Sequence, residues 1–146
     1  MIQRLDADMI LSEDVIMECV AVMDNDPKLV GLYIPEIIMG DSFWCKVRRF
    51  ERSFYTGTVI DCVRFVRRKE FITIGGFDLN LTGPEDWDMD RRLRAVGKTA
   101  IVNDPIYHNE SQFNLRKYLS RKGYYAKNFD TYIQKWGRHD PEIKKQ

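Results

Sequence analysis

The segment Gly75-Gly76-Phe77-Asp78, followed by Thr82-Gly83-Pro84-Glu85-Asp86-Trp87-Asp88, constrains this chain more than any other stretch. A glycine pair permits a tight backbone reversal, Pro84 suits the first position of a helix, and the carboxylates after it open that helix at its positive end. The spacing predicts a helix from Glu85 to about Val96, with Met89, Leu93 and Val96 as its apolar stripe and Gly97 as its stop. Asp88 precedes Arg92, and Asp90 precedes Arg94, in the acid-first order of ordinary surface pairs on an exposed helix. Glu85 and Asp86 have no such partner ahead of them. They act either as complements to the helix dipole or as acids held at a cleft, and Asp86 is expected to be partly exposed and free of ion pairs.

A second acidic motif, Asp6-Ala7-Asp8, lies between apolar residues. In an extended segment alternate side chains point the same way, so Asp6 and Asp8 are expected to project together from a strand end, where two carboxylates suit a hard divalent cation. Ser12, followed by Glu13 and Asp14, reads as the N-cap of a helix whose apolar face is Val15, Ile16, Cys19, Val20 and Met23. The strand end then becomes the edge of a cleft, where open α/β sheets place ligands.

The rest of the chain continues the alternation. Leu29 to Ile34 and Thr58 to Val66 read as strands, as do Thr99 to Val102 and Ile106 to His108. Phe43, Val47, Phe50 and Phe54 recur at helical spacing, with Arg48, Arg52 and Tyr55 along another side. This basic side is either a solvated face or a contact for an anionic acceptor such as a lipid phosphate. From Leu115 to Trp136 a long stripe of leucines and aromatics predicts a helix that packs on the sheet or lies on an anionic membrane, and Gly123 predicts a bend or break in it.

The order Asp6-Ala7-Asp8, Gly75-Gly76-Phe77-Asp78, Glu85-Asp86-Trp87-Asp88 and Tyr107-His108-Asn109-Glu110 resembles the nucleotide-sugar glycosyltransferases of family two, which have the GT-A fold. The resemblance covers most of residues 5–110. It implies an α/β class, as a partial GT-A domain with a Rossmann-like mixed sheet over residues 1–113, and a basic, aromatic helical extension over residues 114–146. It further implies inverting transfer of a sugar from a nucleotide-diphosphate donor to a carbohydrate or lipid-linked acceptor hydroxyl. In that scheme Asp86 is the general base and Glu85 positions or polarises the acceptor. Trp87 packs beneath the site or stacks on a sugar face, while Arg48 and Arg52 are candidate donor or acceptor contacts. Asp8 and His108 hold Mn²⁺ or Mg²⁺, and Asp6 touches the donor ribose or the metal through water. His139 receives no role. Family members carry a nucleotide-binding half before the D-x-D strand, so the chain is expected to be a C-terminal portion that starts inside a central strand and is not a competent transferase alone.

Composition and charge bound the alternatives. The 146 residues are 44% hydrophobic, sufficient for a core, and no apolar run approaches the ~20 residues of a membrane span. Cys19, Cys45 and Cys62 lack C-x-x-C spacing and read as reduced thiols, consistent with a cytoplasmic setting or a peripheral position at the cytoplasmic membrane face. The net charge of +1 hides segregation: residues 46–69 hold eight basic and two acidic side chains, and residues 1–43 hold two and nine. Nothing calls for a nucleic-acid partner. A noncatalytic module that binds membranes or polyanions through its basic helices, or one that forms homo-oligomers through an exposed sheet edge, remains the alternative.

Overall fold

The computed structural model describes residues 1–138; His139 lies outside them. The elements are β1 (Ile2–Gln3), β2 (Met9–Leu11), α1 (Val15–Asn25), β3 (Leu29–Tyr33), β4 (Glu36–Met39), α2 (Phe43–Arg52), β5 (Phe65–Val66), α3 (Arg68–Thr73), α4 (Glu85–Val96), β6 (Lys98–Ile101), β7 (Ile106–Asn109) and α5 (Leu115–Trp136). They form a mixed α/β structure with two mixed sheets. One has the order β1-β5-β3-β6, with β3 and β6 parallel; the other has the order β2-β7-β4, with β4 and β7 parallel.

β3 is the centre of the larger sheet because all five of its residues are buried and both faces are covered. A register shift between Leu29 and Gly31 puts Leu29 and Leu32 on one side with Val15, Cys19 and Met23 of α1. Val30 and Tyr33 face the other side, with Met89 and Leu93 of α4. Each fully buried aliphatic side chain contributes about 1.5–3 kcal/mol by leaving water. Gly97 ends α4 at an extended φ of −175°, so its glycine is required by space: an added Cβ would lie 2.1 Å from Val30 Cγ1. Gly75 and Gly76, at φ of 83° and 67°, make the tight reversal that the sequence predicts.

Several expectations are corrected. Asp14, not Ser12, is the N-cap of α1, and Ser12 Oγ is buried with no hydrogen-bond partner among the described residues. Ile16 and Val20 stay exposed because only the i, i+4, i+8 row of α1 meets β3. Pro84 occupies the N-cap of α4, one place before the expected position. The strand expected over residues 58–66 shrinks to β5, since a turn and irregular backbone occupy residues 58–64. Asp88 and Asp90 are fully buried. Partners remote in sequence draw them inward: Trp136 Nε1 donates to Asp88 Oδ1 at 2.8 Å, and Val63 N donates to Asp90 Oδ1 at 3.2 Å. Val96, expected in the apolar stripe, is half exposed. Helix α5 is continuous through Gly123.

Helix α2 is inverted relative to a usual amphipathic helix. Arg48 and Arg52 face the protein, and the Phe43, Val47, Phe50 stripe faces solvent. The cause lies in the buried carboxylates beneath it. Glu36 and Asp61 are nearly inaccessible, and a buried carboxylate without a cation is far costlier than an exposed phenylalanine.

Candidate functional site

The central strand of the smaller sheet, β7, positions the site. His108 pairs with Met9 on one side and Ile38 on the other. The ladder runs one residue beyond β2, because Asn109 N donates to Asp8 O at 2.9 Å. Asp8 is thereby set beside His108, with Asp8 Oδ2 3.2 Å from His108 Nε2. The two aspartates do not project together from a strand end. Residues 6–8 run into a turn, closed by Met9 N donating to Asp6 O at 3.1 Å. That turn sends Asp6 elsewhere, to Arg64 Nη1 at 3.5 Å and Arg4 Nη2 at 3.9 Å.

Glu36, on β4, fixes the other side of His108, with Nδ1 2.8 Å from Glu36 Oε1. Glu36 also meets Arg52 Nη2 at 2.5 Å and Arg64 Nη2 at 2.9 Å. Burial pushes its carboxyl upward, but the hydrogen bond to His108 and the charges of Arg52 and Arg64 outweigh that and hold it at about 2. An ionised Glu36 can only accept, so the Nδ1 of His108 carries the hydrogen and Nε2 is presented to Asp8. The Glu36 hydrogen bond, against the opposing effect of burial, raises the His108 pKa, and the charges of Glu36 and Asp8 add to it. Asp61 shares Arg52 at 2.6 Å, yet burial, together with the repulsion of Glu36, lifts it to about 6. Arg48 holds Glu110 through Nε and Nη2, both at 3.1 Å, and also pairs with Glu51. Neither Arg48 nor Arg52 is therefore the free, outward cation that the sequence suggests.

Asp86 is likewise paired. Its helix supplies no cation, as expected, but Arg4 at the end of β1 does, with Arg4 Nη1 3.3 Å from Asp86 Oδ2. The carboxylate is 19% exposed. Burial raises its pKa to about 6 against the attraction of Arg4, with the charge of Glu85 adding to the rise. A carboxyl at that value is ionised near neutral pH and still a competent proton acceptor. Glu85 folds back and accepts from Gly83 N at 2.6 Å. Trp87 packs edge-on against Phe129 and Tyr132 of α5, at centroid distances of 5.0 and 6.2 Å.

A cavity of about 310 Å³ opens beside Asp8 and His108, walled on one side by Lys117, Arg121, Lys122 and Tyr125 of α5. Asp6, Glu85, Asp86 and Trp87 do not line it. Tyr125 connects the two regions, since its ring would meet a Cβ at Gly83, two residues before Glu85, at 2.9 Å. Ion pairs link them too, from Asp86 through Arg4, Asp6, Arg64 and Glu36 to His108.

Arg4, Glu36, Asp61 and Arg64 are the participants that sequence reasoning missed. The available signal was a lone charge inside an apolar run, Glu36 between Ile34 and Ile37 and Arg64 between Val63 and Phe65.

Asp8 and His108 fit a divalent cation as an oxygen and a nitrogen donor, with Glu36 behind the imidazole as an orienting carboxylate. No group of three or more His, Cys, Asp or Glu side chains converges for a metal among the described residues. Compared with protein-family models, with curated proteins and with solved structures, the chain matches none.

Proposed function

We propose that this chain carries the catalytic carboxylate and metal site of a family-two-like, GT-A-type glycosyltransferase, acting on a nucleotide-diphosphate sugar and an acceptor hydroxyl with inversion. The observation that carries the reading is His108, whose Nδ1 is fixed by Glu36 and whose Nε2 lies 3.2 Å from Asp8 beside a cavity rich in cations. Asp8 and His108 would hold Mn²⁺ or Mg²⁺. Bound there, the ion would offset negative charge on the leaving diphosphate. Lys117, Arg121 and Lys122 add positive charge to the same wall. Asp86 takes the proton from the acceptor hydroxyl as its oxygen bonds to the anomeric carbon. The bond from that carbon to the diphosphate oxygen breaks, and the diphosphate leaves with the electron pair. Arg4 holds the Asp86 carboxylate in place and keeps a useful fraction of it ionised.

Binding of Mn²⁺, followed by electron paramagnetic resonance with and without a nucleoside diphosphate, tests the reading. Asp8→Asn and His108→Ala should each weaken binding at least tenfold while the circular dichroism spectrum is retained. Unchanged Mn²⁺ affinity in both folded variants removes the metal site. In a donor-hydrolysis or transfer assay of the complete enzyme, Asp86→Asn should lower turnover by orders of magnitude, and near-normal turnover of the folded variant removes it as the base.

A further inference from the structure

Three cations on one wall of the cavity beside His108 have no counter-charge of their own. Lys117, Arg121 and Lys122 of α5 line it, with Lys117 and Arg121 one turn apart on the same side of the helix. Like charges at that spacing destabilise a helix. No aspartate or glutamate occurs between Ser111 and Phe129, so this stretch cannot supply a partner. Among the described residues, neither Lys117 nor Arg121 has an ion pair. Lys122 lies over the ring of Tyr118 at 5.4 Å and senses the charge of Glu51, which Arg48 already pairs.

The cations around them are treated differently. Arg48 is neutralised by Glu110 and Glu51, Arg52 by Glu36 and Asp61, and Arg64 by Glu36 and Asp6. Only two carboxylates line the cavity with the wall. One is Glu110, held by Arg48, and the other is Asp8, drawn to His108. Apart from His108 the lining thus sets four cationic side chains against two carboxylates. Cations of one sign in a concave site focus their field on its interior, which a flat solvated face does not do.

We propose that this wall is an anion site for the phosphate or diphosphate group of a small molecule, and that it holds that group without a metal. The volume of about 310 Å³ sets the scale, since small-molecule sites begin at about 300 Å³. Three cations call for more than a single negative charge. A phosphate ester offers about −1.5 to −2 on three acceptor oxygens, where a carboxylate offers one charge on two. Arg121 can grip two of those oxygens with its guanidinium fork, while Lys117 and Lys122 act as point charges. Tyr125 continues the row of Lys117 and Arg121 by one more turn and also lines the cavity, so an organic group on the phosphate would have an aromatic surface to lie on. The site shares its cavity with Asp8 and His108, but it depends neither on a metal there nor on the transferase reading.

Calorimetric titration of the 146-residue chain with inorganic pyrophosphate tests this, in buffer freed of divalent ions and at a fixed ionic strength of about 0.15 M. Binding should be measurable without metal, and excess acetate should not displace it. Arg121→Gln should weaken it at least tenfold and Lys117→Gln several-fold, with the circular dichroism spectrum unchanged because both side chains are exposed. Arg116→Gln removes the same charge from an exposed position of α5 that does not line the cavity, and should leave the affinity within about twofold. Asp8→Asn should leave pyrophosphate binding unchanged or tighten it, whereas the metal reading requires that variant to lose Mn²⁺, so the two proposals fail separately. Pyrophosphate binding that appears only with Mn²⁺ overturns the anion site, as does displacement by acetate. Equal losses in Arg116→Gln and Arg121→Gln overturn it too, because they mark a diffuse solvated face.

Discussion

Replacing Arg4 with Met isolates what the ion pair does to Asp86. The substitution keeps most of the side-chain volume, so water should not flood the site, but it removes the guanidinium 3.3 Å from Asp86 Oδ2. An opposite charge at that distance lowers a carboxyl by about 1–3 units, and the partial exposure of both partners places this pair near the lower end of that range. The pKa of Asp86 should therefore rise from about 6 to between about 7 and 8. Each unit corresponds to about 1.4 kcal/mol favouring the protonated form. The measurement is a ¹³C-carboxyl NMR titration of aspartate-labelled protein, with the Asp86 signal identified by its loss in Asp86→Asn. In a donor-hydrolysis assay of the complete enzyme the acid limb of the pH profile should move upward by the same amount, because the base must be ionised to accept a proton. A midpoint within a few tenths of a unit of the parent value, or below it, would refute the electrostatic account of this residue.

Glu36→Gln leaves Arg52 and Arg64 buried with one counter-charge fewer, and should cost about 3–5 kcal/mol in urea denaturation. Gly97→Ala forces a Cβ into Val30 and should cost about 1–3 kcal/mol, with Val30→Ala in the same chain recovering part of the loss. Asp88→Ala removes the acceptor shared by Trp136, Lys135 and Arg92, so limited proteolysis should cut within α5 before the sheets are lost. Asp61 and Asp86 have folded values near 6 against an unfolded value of 3.8, so the fold binds more protons than the open chain between these limits. The contribution of these two groups to stability should then fall as pH rises from about 4 to about 6, against the opposite trend of Glu36, and Asp86→Asn should make the measured stability fall less, or rise more, over that window in thermal melts.

The ends of helices α4 and α5 were legible in the sequence, because local spacing and a following glycine mark them, although the break expected at Gly123 did not occur. So was the closeness of Asp8 to His108, which the family resemblance implies by giving both residues to one metal ion. What escaped was the direction of the charged side chains. A helical wheel shows that α2 has two faces and does not say which is inside. That was decided by Glu36, Asp61 and Glu110, the last of which is 62 residues from Arg48. Asp86 was expected to be unpaired for the same reason, its partner Arg4 being 82 residues away. Local rules for acid–base spacing treat charges as surface features, and this chain uses them as interior contacts.

Helix α5 is anchored on buried Asp88 at one end and meets Arg48 of α2 through Tyr118 towards the other. Tyr132, Trp136 and Lys135 anchor its last turns to α4, and much of its first half is exposed. The cavity wall belongs to that first half. A rod rooted at one end turns a small rotation there into a larger displacement at its tip, and Tyr118 lies about 27 Å along the axis from Trp136 at the usual helical rise. A shift of the turns anchored on Asp88 would thus be felt at Tyr118, where α5 meets Arg48 of α2 beside the cavity.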